Sequence, residues 1–433
     1  MARKMEHLKN LFLKSNNISK DGYLWNTIQS VLFATQSAFM LMIITRVAGL
    51  DAAGVFSIAY AIASLIYYVG EFGARKFQIT DVDEKYSFCD YHTHRVITCV
   101  TAAVISIAYT GIGMAAGRYS LDKASVIIII CLIKAIEAYC DVFFSRYQQK
   151  HRLDVAAKAS AYRLILSLLI SIGVLVFTKD LLISMIAWLI ANVITTATSF
   201  VLVASEFGKI EFGFRAKQFL GITKECLPLF AGSFLLLYVG NAPKLAIDTF
   251  LDDRAQACYN FLFMPVFTIG MLANFIFNPI LVQLAEHWNS GEQSKFNRIV
   301  YRQIAIIGGI TLLAIAVALT IGCPVLGIIF GADLKGYEIS LTILMVGGGM
   351  LALANFFIVV ITVVRGQKYL LVGYIVAALS ALLCSGFFVR NYGIWGASVL
   401  YATLMTFTSA IFAVTLLLCI RSRKKERGLS DAK

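Results

Sequence analysis

The apolar stretch ASVIIIICLIKAIEAYCDVFF (124–144) carries Lys134, Glu137 and Asp141. Spacings of three, four and seven put all three on one face of a helix. An ionisable group in the middle of a membrane helix costs roughly 2.5–3.5 kcal/mol on insertion scales, so it is kept for a partner or a cavity. Two chemistries fit. A lysine on a water-filled path can hold an anion while the carboxylates exchange a cation or proton. Alternatively, the three groups neutralise one another and only orient the helix. NAPKLAIDTFLDD (241–253) repeats the pattern with Lys244 and Asp248, four residues apart. There, a pair snorkelling to the interface competes with a functional one. Glu137, Asp141 and Asp248 are the candidates for an ion-coupling site. Lys134, Arg46, Lys244 and Arg163 are the cations that could line a cavity. Gln29, Gln36 and Asn241 could hydrogen-bond a polar substrate or glue helices together.

Signatures of catalysis are sparse. Asp81-Val82-Asp83 spells the DxD that holds a nucleotide-sugar cation, but no nucleotide-binding domain surrounds it. Gly347-Gly348-Gly349 lies within an apolar run and reads as close helix packing. There is no P-loop. The nine cysteines form no CxxC pair and fall mostly in apolar runs, as small core residues do. No cofactor or metal is expected beyond a coupling Na+ or H+. The chain is therefore not read as an enzyme.

The elements that position these residues are membrane helices. Of 433 residues, 59% are hydrophobic and 15% charged, where a soluble domain carries about a quarter charged. The apolar runs are long and continuous, not short and alternating, which excludes a membrane β-barrel. Spans are expected near 24–45, 52–73, 96–117, 124–144, 160–178, 181–204, 226–250, 257–285, 303–323, 339–364, 369–389 and 392–420. The net charge of +13 falls between the spans, which points to topology and not to nucleic acid. With both termini cytoplasmic, 29 of the 38 Lys and Arg lie in inside segments, eight lie outside and Lys134 lies within a span. That asymmetry obeys the positive-inside rule. The first span is too long for a signal peptide. The division is a cytoplasmic or interfacial segment 1–20, a six-helix bundle 21–205, a linker 206–220, a second six-helix bundle 221–420 and a basic tail 421–433. Gln149-Lys150 and Gln367-Lys368 precede similar span pairs, a faint internal echo. Segment 3–20 reads equally as an interfacial helix or a frayed tail.

The segments RVAGLDAAGVFSIAYAI, EFGARKFQITD, KAIEAYCDVFFSRYQQKHRLD, NAPKLAIDTFLDDRAQACYNFLFMP and GCPVLGIIFGADL resemble the Wzx-type polysaccharide flippases. These belong to the multidrug/oligosaccharidyl-lipid/polysaccharide exporter (MOP) superfamily. The likeness runs from about residue 20 to 420. It implies an all-α, MATE-like fold of two six-helix bundles working by alternating access. It implies a monomer in the bacterial cytoplasmic membrane that moves undecaprenyl-diphosphate-linked oligosaccharide repeat units outward, driven by an ion gradient or the membrane potential. It assigns cationic cavity roles to Lys134, Arg46 and Lys244, and suggests a polymerase and glycosyltransferases as pathway partners. The competing functions are a multidrug or metabolite cation antiporter of the same fold, and a membrane glycan polymerase or glycosyltransferase. Short outside loops argue against the last, and Lys134 argues against a cation cargo.

Overall fold

The computed structural model describes residues 2–81, 83–207, 211–277, 280–366 and 369–430. Val82, Asn278, Pro279, Gln367 and Lys368 lie outside them, as do residues 431–433 of the basic tail. The described residues are almost wholly helical. The chain separates into two compact units, Met1–Phe234 and Leu235–Lys433.

In the first unit, a short helix α1 (Ala2–Leu13) precedes α2 (Ile18–Ala48), α3 (Leu50–Glu71), α4 (Ala74–Thr80), α5 (Phe88–Ala115), α6 (Leu121–Gln149), α7 (Leu153–Thr178) and α8 (Leu181–Val203). Helix starts follow the sequence chemistry. The Asn17 and Ser120 side chains cap α2 and α6, and Ser87 with Asp90 forms a reciprocal capping box on α5. Helix α6, the one carrying the three charges, packs against α3, α5, α7 and α8 and is central to the unit. Outward faces stay apolar: Val100, Val104 and Ile107 on α5 are more than half exposed, as lipid-facing positions should be.

Helix α1 docks on this unit. Phe12 is buried edge-on against Tyr162, whereas Leu11 is exposed. Arg152 and Lys158 donate to the Leu13 and Lys14 carbonyls at 2.6 and 2.9 Å. These cations satisfy orphan carbonyls at the helix's negative end.

Helix α9 (Ala216–Phe250) crosses from one unit to the other. The divide falls inside α9, downstream of the 206–220 linker, because the linker is strapped to α5. Arg215 forks onto Asp90 at 2.9 and 2.6 Å, and the Gly213 N–H donates to Thr93 at 3.1 Å.

The second unit continues with α10 (Asp253–Phe277), α11 (Leu281–Asn289), α12 (Gln293–Val317), α13 (Cys323–Phe330), α14 (Glu338–Val363) and α15 (Leu370–Ser430). Here α14 is central, packed against α10, α12 and α15. Its three glycines admit neighbours: a methyl at Gly347 would come within 2.5 Å of Tyr401, one at Gly348 within 3.1 Å of Ile269 and one at Gly349 within 2.2 Å of Thr311. Two expected boundaries are corrected. The span expected at 303–323 runs on to Phe330, because a π-helical turn at 318–322 takes up the strain before Pro324, which sits in the first turn of α13. The span expected at 257–285 is described as α10 to Phe277 and as α11 from Leu281, with Asn278 and Pro279 outside the described residues. At the α11–α12 junction, hydrogen bonds from Lys295 and then His287 hold the Glu292 carboxyl below its usual pKa.

Nine helical stretches among the described residues are long and apolar enough to cross a membrane. Helix α6 falls outside that number because its middle holds three charges. Helix α10, 25 residues long, spans about 37 Å at 1.5 Å per residue, enough to cross a bilayer. Helix α15 is two helices joined at Gly393, whose backbone is non-helical (φ 57°, ψ −138°). The total is twelve, and the chain is a multi-pass membrane protein.

Candidate functional site

The charged face of α6 gathers partners from four other helices. Lys134 Nζ donates to Glu137 at 2.6 Å, and its ammonium lies 4.9 Å from the Phe33 ring centre and 4.7 Å from that of Tyr60. Arg163 on α7 approaches Glu137 at 3.6 Å and donates to Asn192 of α8 at 2.9 Å. One turn along α6, Asp141 accepts a hydrogen bond from Arg75 at 2.9 Å and another from the Tyr67 hydroxyl. Lys134, Glu137, Asp141 and Arg163 are each at most 5% exposed.

Three cations thus face the two α6 carboxylates, and the buried Glu71 carboxylate also acts on Arg75; around Glu137, shared by Lys134 and Arg163, one positive charge is in excess. In low dielectric, such an array is held together by mutual pairing and is costly to break at one member. It borders a cavity of about 70 Å³ lined by Gln29, Phe33, Tyr67, Arg75, Glu137, Asp141, Ser160 and Arg163. A site for one water needs about 10–15 Å³, so several waters or a small ion fit, whereas an oligosaccharide does not.

Arg75 reaches this cluster because the chain bends sharply after α3. Phe72 and Gly73 both adopt left-handed backbone (φ 49° and 69°), and Glu71 accepts from the Gly73 and Arg75 N–H groups at 2.9 and 3.1 Å. Only glycine suits position 73. Its φ is positive, and a methyl there would lie 2.9 Å from Leu229 Cβ.

The structure brings together Lys134, Glu137, Asp141, Arg163 and Gln29. Gln36, two turns beyond Gln29 on α2, is 1% exposed, and neither amide atom has a partner among the described residues. Arg46 is exposed in the last turn of α2, seventeen residues from Gln29, or about 25 Å at 1.5 Å per residue. It is not part of the cluster. The second unit holds the others. Lys244 is 6% exposed and packs 4.3 Å from the Phe263 ring centre. Its ammonium is therefore enclosed by aromatic side chains instead of reaching toward the interface. Asn241 donates to the Leu237 carbonyl at 3.0 Å, and Asp248 is half-buried one turn beyond Lys244.

Sequence reasoning missed Arg75, Tyr67, Asn192 and Ser160. Arg75 had been counted as a topology marker. The available signal was the Glu-Phe-Gly sequence before it, a helix stop that re-aims the next turn. Arg95, Lys158 and Arg163, also counted in inside loops, are buried. Asp81 of the DxD is a turn cap, accepting from the Lys85 and Tyr86 N–H groups and the Tyr91 hydroxyl at 2.9, 3.1 and 2.7 Å.

No protein-family model matches the chain, and no curated protein matches it by sequence. Solved structures do match. A multidrug-resistance MATE transporter of the MOP superfamily, in an inward-facing conformation, aligns with TM-score 0.60 at 14% identity over 93% of this chain and 96% of its own. The lipid II flippase MurJ, inward closed, aligns with TM-score 0.65 at 11% identity over 92% of this chain and 87% of its own. A MOP transporter from Pyrococcus furiosus, described as having a binding pocket of reverse polarity, aligns with TM-score 0.53 at 13% identity over 96% and 97%. The fold of this chain is similar to that of this MATE transporter and of MurJ.

Proposed function

We propose that the protein is a flippase of the Wzx type. It would carry undecaprenyl-diphosphate-linked oligosaccharide repeat units across the bacterial cytoplasmic membrane by alternating access. The observation that carries this reading is the buried, net-positive cluster around Lys134 and Arg163. A diphosphate joined at one end to a lipid and at the other to a sugar carries two negative charges and needs ammonium and guanidinium donors along its path. Gln29 and Ser160 at the cavity would meet sugar hydroxyls only after the cavity widens in the transport cycle, since in this structure it admits waters or a small ion. That one member of the fold is a lipid II flippase supports a lipid-linked cargo.

The cluster also suggests a coupling step. A phosphate offers Lys134 and Arg163 more acceptor oxygens than Glu137 does. Arrival of the anion would release Glu137, and a carboxylate freed in low dielectric takes up a proton or Na+. The membrane potential adds roughly 2.3 kcal/mol per elementary charge per 100 mV toward expelling an anion.

Phe33, Tyr67, Glu137 and Asp141 at the cavity would also suit an organic cation, as in a multidrug antiporter. The excess of cations counts against it. Both readings meet in one experiment, in cells whose own flippase is deleted. Lys134→Ala should reduce surface glycan, per amount of the protein in the membrane, at least about ten-fold, as loss of a charge-assisted contact of about 1.5–3 kcal/mol implies. Lys134→Arg should retain export. Normal glycan with Lys134→Ala overturns the reading, and export of a cationic dye in place of glycan selects the antiporter.

A further inference from the structure

Arg95, on α5, is 1% exposed. Its Nη1 donates to the Gly70 carbonyl at 2.7 Å, while Nε and Nη2 have no partner among the described residues. Those two nitrogens share one edge of the guanidinium, the edge that grips two oxygens of a single oxyanion. Neighbouring His94 is also 1% exposed. Its Nε2 lies 3.2 Å from Thr223 Oγ1, and its Nδ1 is likewise without a partner. Glu71, next in sequence to the Gly70 that Arg95 touches, caps α4 through Gly73 and Arg75, and Asp90, five residues before Arg95 on α5, is forked by Arg215. Buried charges are normally paired, and buried donors normally hydrogen-bonded. The bidentate cationic edge is the chemistry of a phosphate receptor; because Thr223 donates to the Phe219 carbonyl at 2.8 Å, His94 Nε2 donates to Thr223, and its Nδ1 is an acceptor that suits a hydroxyl carried by a phosphate compound.

The first half of α9 closes over this place. Phe219 lies 5.2 Å from His94, and Phe72 lies 5.6 Å from His94 while stacking on Phe230 at 4.4 Å. Arg95 is seven residues into α5, about 10 Å from its start. On the topology above, that start is the cytoplasmic end, so the site lies in the cytoplasmic half of α5.

We propose that Arg95 and His94 form an oxyanion site, separate from the Lys134 cluster, which takes a phosphate group when Phe219 and Phe230 shift away. The phosphate comes from a lipid headgroup or from a free phosphate compound. Thermal unfolding of the full chain in nanodiscs tests the site and separates the two sources. One arm compares phosphatidylglycerol with phosphatidylcholine, and the other adds inorganic pyrophosphate to phosphatidylcholine discs. Wild type should gain about 3 °C or more in one arm. A gain with phosphatidylglycerol assigns a lipid, and a gain with pyrophosphate assigns a free phosphate. Measured in a Lys134→Gln background, so that the other cluster does not supply the response, the gain should persist, and adding Arg95→Gln should abolish it. Arg95→Lys keeps the charge but not the fork, and should need at least about ten-fold more probe; this variant decides the matter should Arg95→Gln not fold. No gain in either arm, or an equal response in the Arg95 variants, overturns the site. Binding is read without transport, so its outcome is independent of the flippase reading.

Discussion

At the scale of single residues, the informative feature is that Lys134 and Glu137 are both almost fully buried and only 2.6 Å apart. Removing one member of such a pair leaves an uncompensated charge, which costs about 3–5 kcal/mol, whereas replacing both with apolar residues of similar size is far milder. Lys134→Met and Glu137→Met should each lower stability by about that amount. The double variant should lose less than either, giving a coupling of about 3 kcal/mol in denaturant unfolding of the detergent-solubilised protein. Additive losses would mean that the two groups do not sense each other. The double variant should also fold without exporting glycan, which separates the stability of the cluster from its work. The sequence showed the α6 side of this site, because spacing on one helix is periodic. It hid Arg75 and Tyr67, whose contacts with Asp141 span 66 and 74 residues and depend on how helices pack.

At the scale of elements, the apolar runs located the helices but not their ends. An apolar window stops where the lipid stops, whereas backbone hydrogen bonding continues into the polar flanks. Helix α6 thus extends to Gln149, and α9 begins at Ala216, beyond the expected 144 and before the expected 226. The α3–α4 bend was legible only as a Gly after a span, yet it positions Arg75. Gly73→Ala would place a methyl at a positive φ and against Leu229. It should cost about 2–4 kcal/mol from left-handed strain and overpacking together, and reduce export by displacing Arg75. Gly111→Ala is the control. That glycine lies exposed within α5 with open space around it, so alanine there should be neutral or stabilising by up to about 1 kcal/mol. Comparing the two melting temperatures distinguishes a bend that matters from a general intolerance of substitution.

For the whole molecule, the charge asymmetry that set the topology survives the structure, although several of its markers prove to be interior. Arg95, Lys158 and Arg163 are buried, as is Lys244. Setting those aside leaves 26 basic residues in the inside segments against seven outside, still the strong bias that orients helices during insertion. The helices impose a parity on that bias. Between Arg118 and Lys335 the chain passes through α6, α7, α8, α9, α10 and the continuous α12–α13 span, an even number of crossings. Between Arg118 and Ser290 it crosses five times. Single cysteines at Arg118, Ser290 and Lys335, in a background lacking the native cysteines, can be probed with a membrane-impermeant maleimide. The Arg118→Cys and Lys335→Cys variants should label in intact cells, and Ser290→Cys only in inverted vesicles. Labelling of positions 118 and 335 from opposite faces would mean an odd number of crossings. Position 290 then says where the loss lies: labelling of 118 and 290 from the same face would place it among α6 to α10, and loss of α6, with its three charges, would take the Lys134 cluster off a transmembrane path.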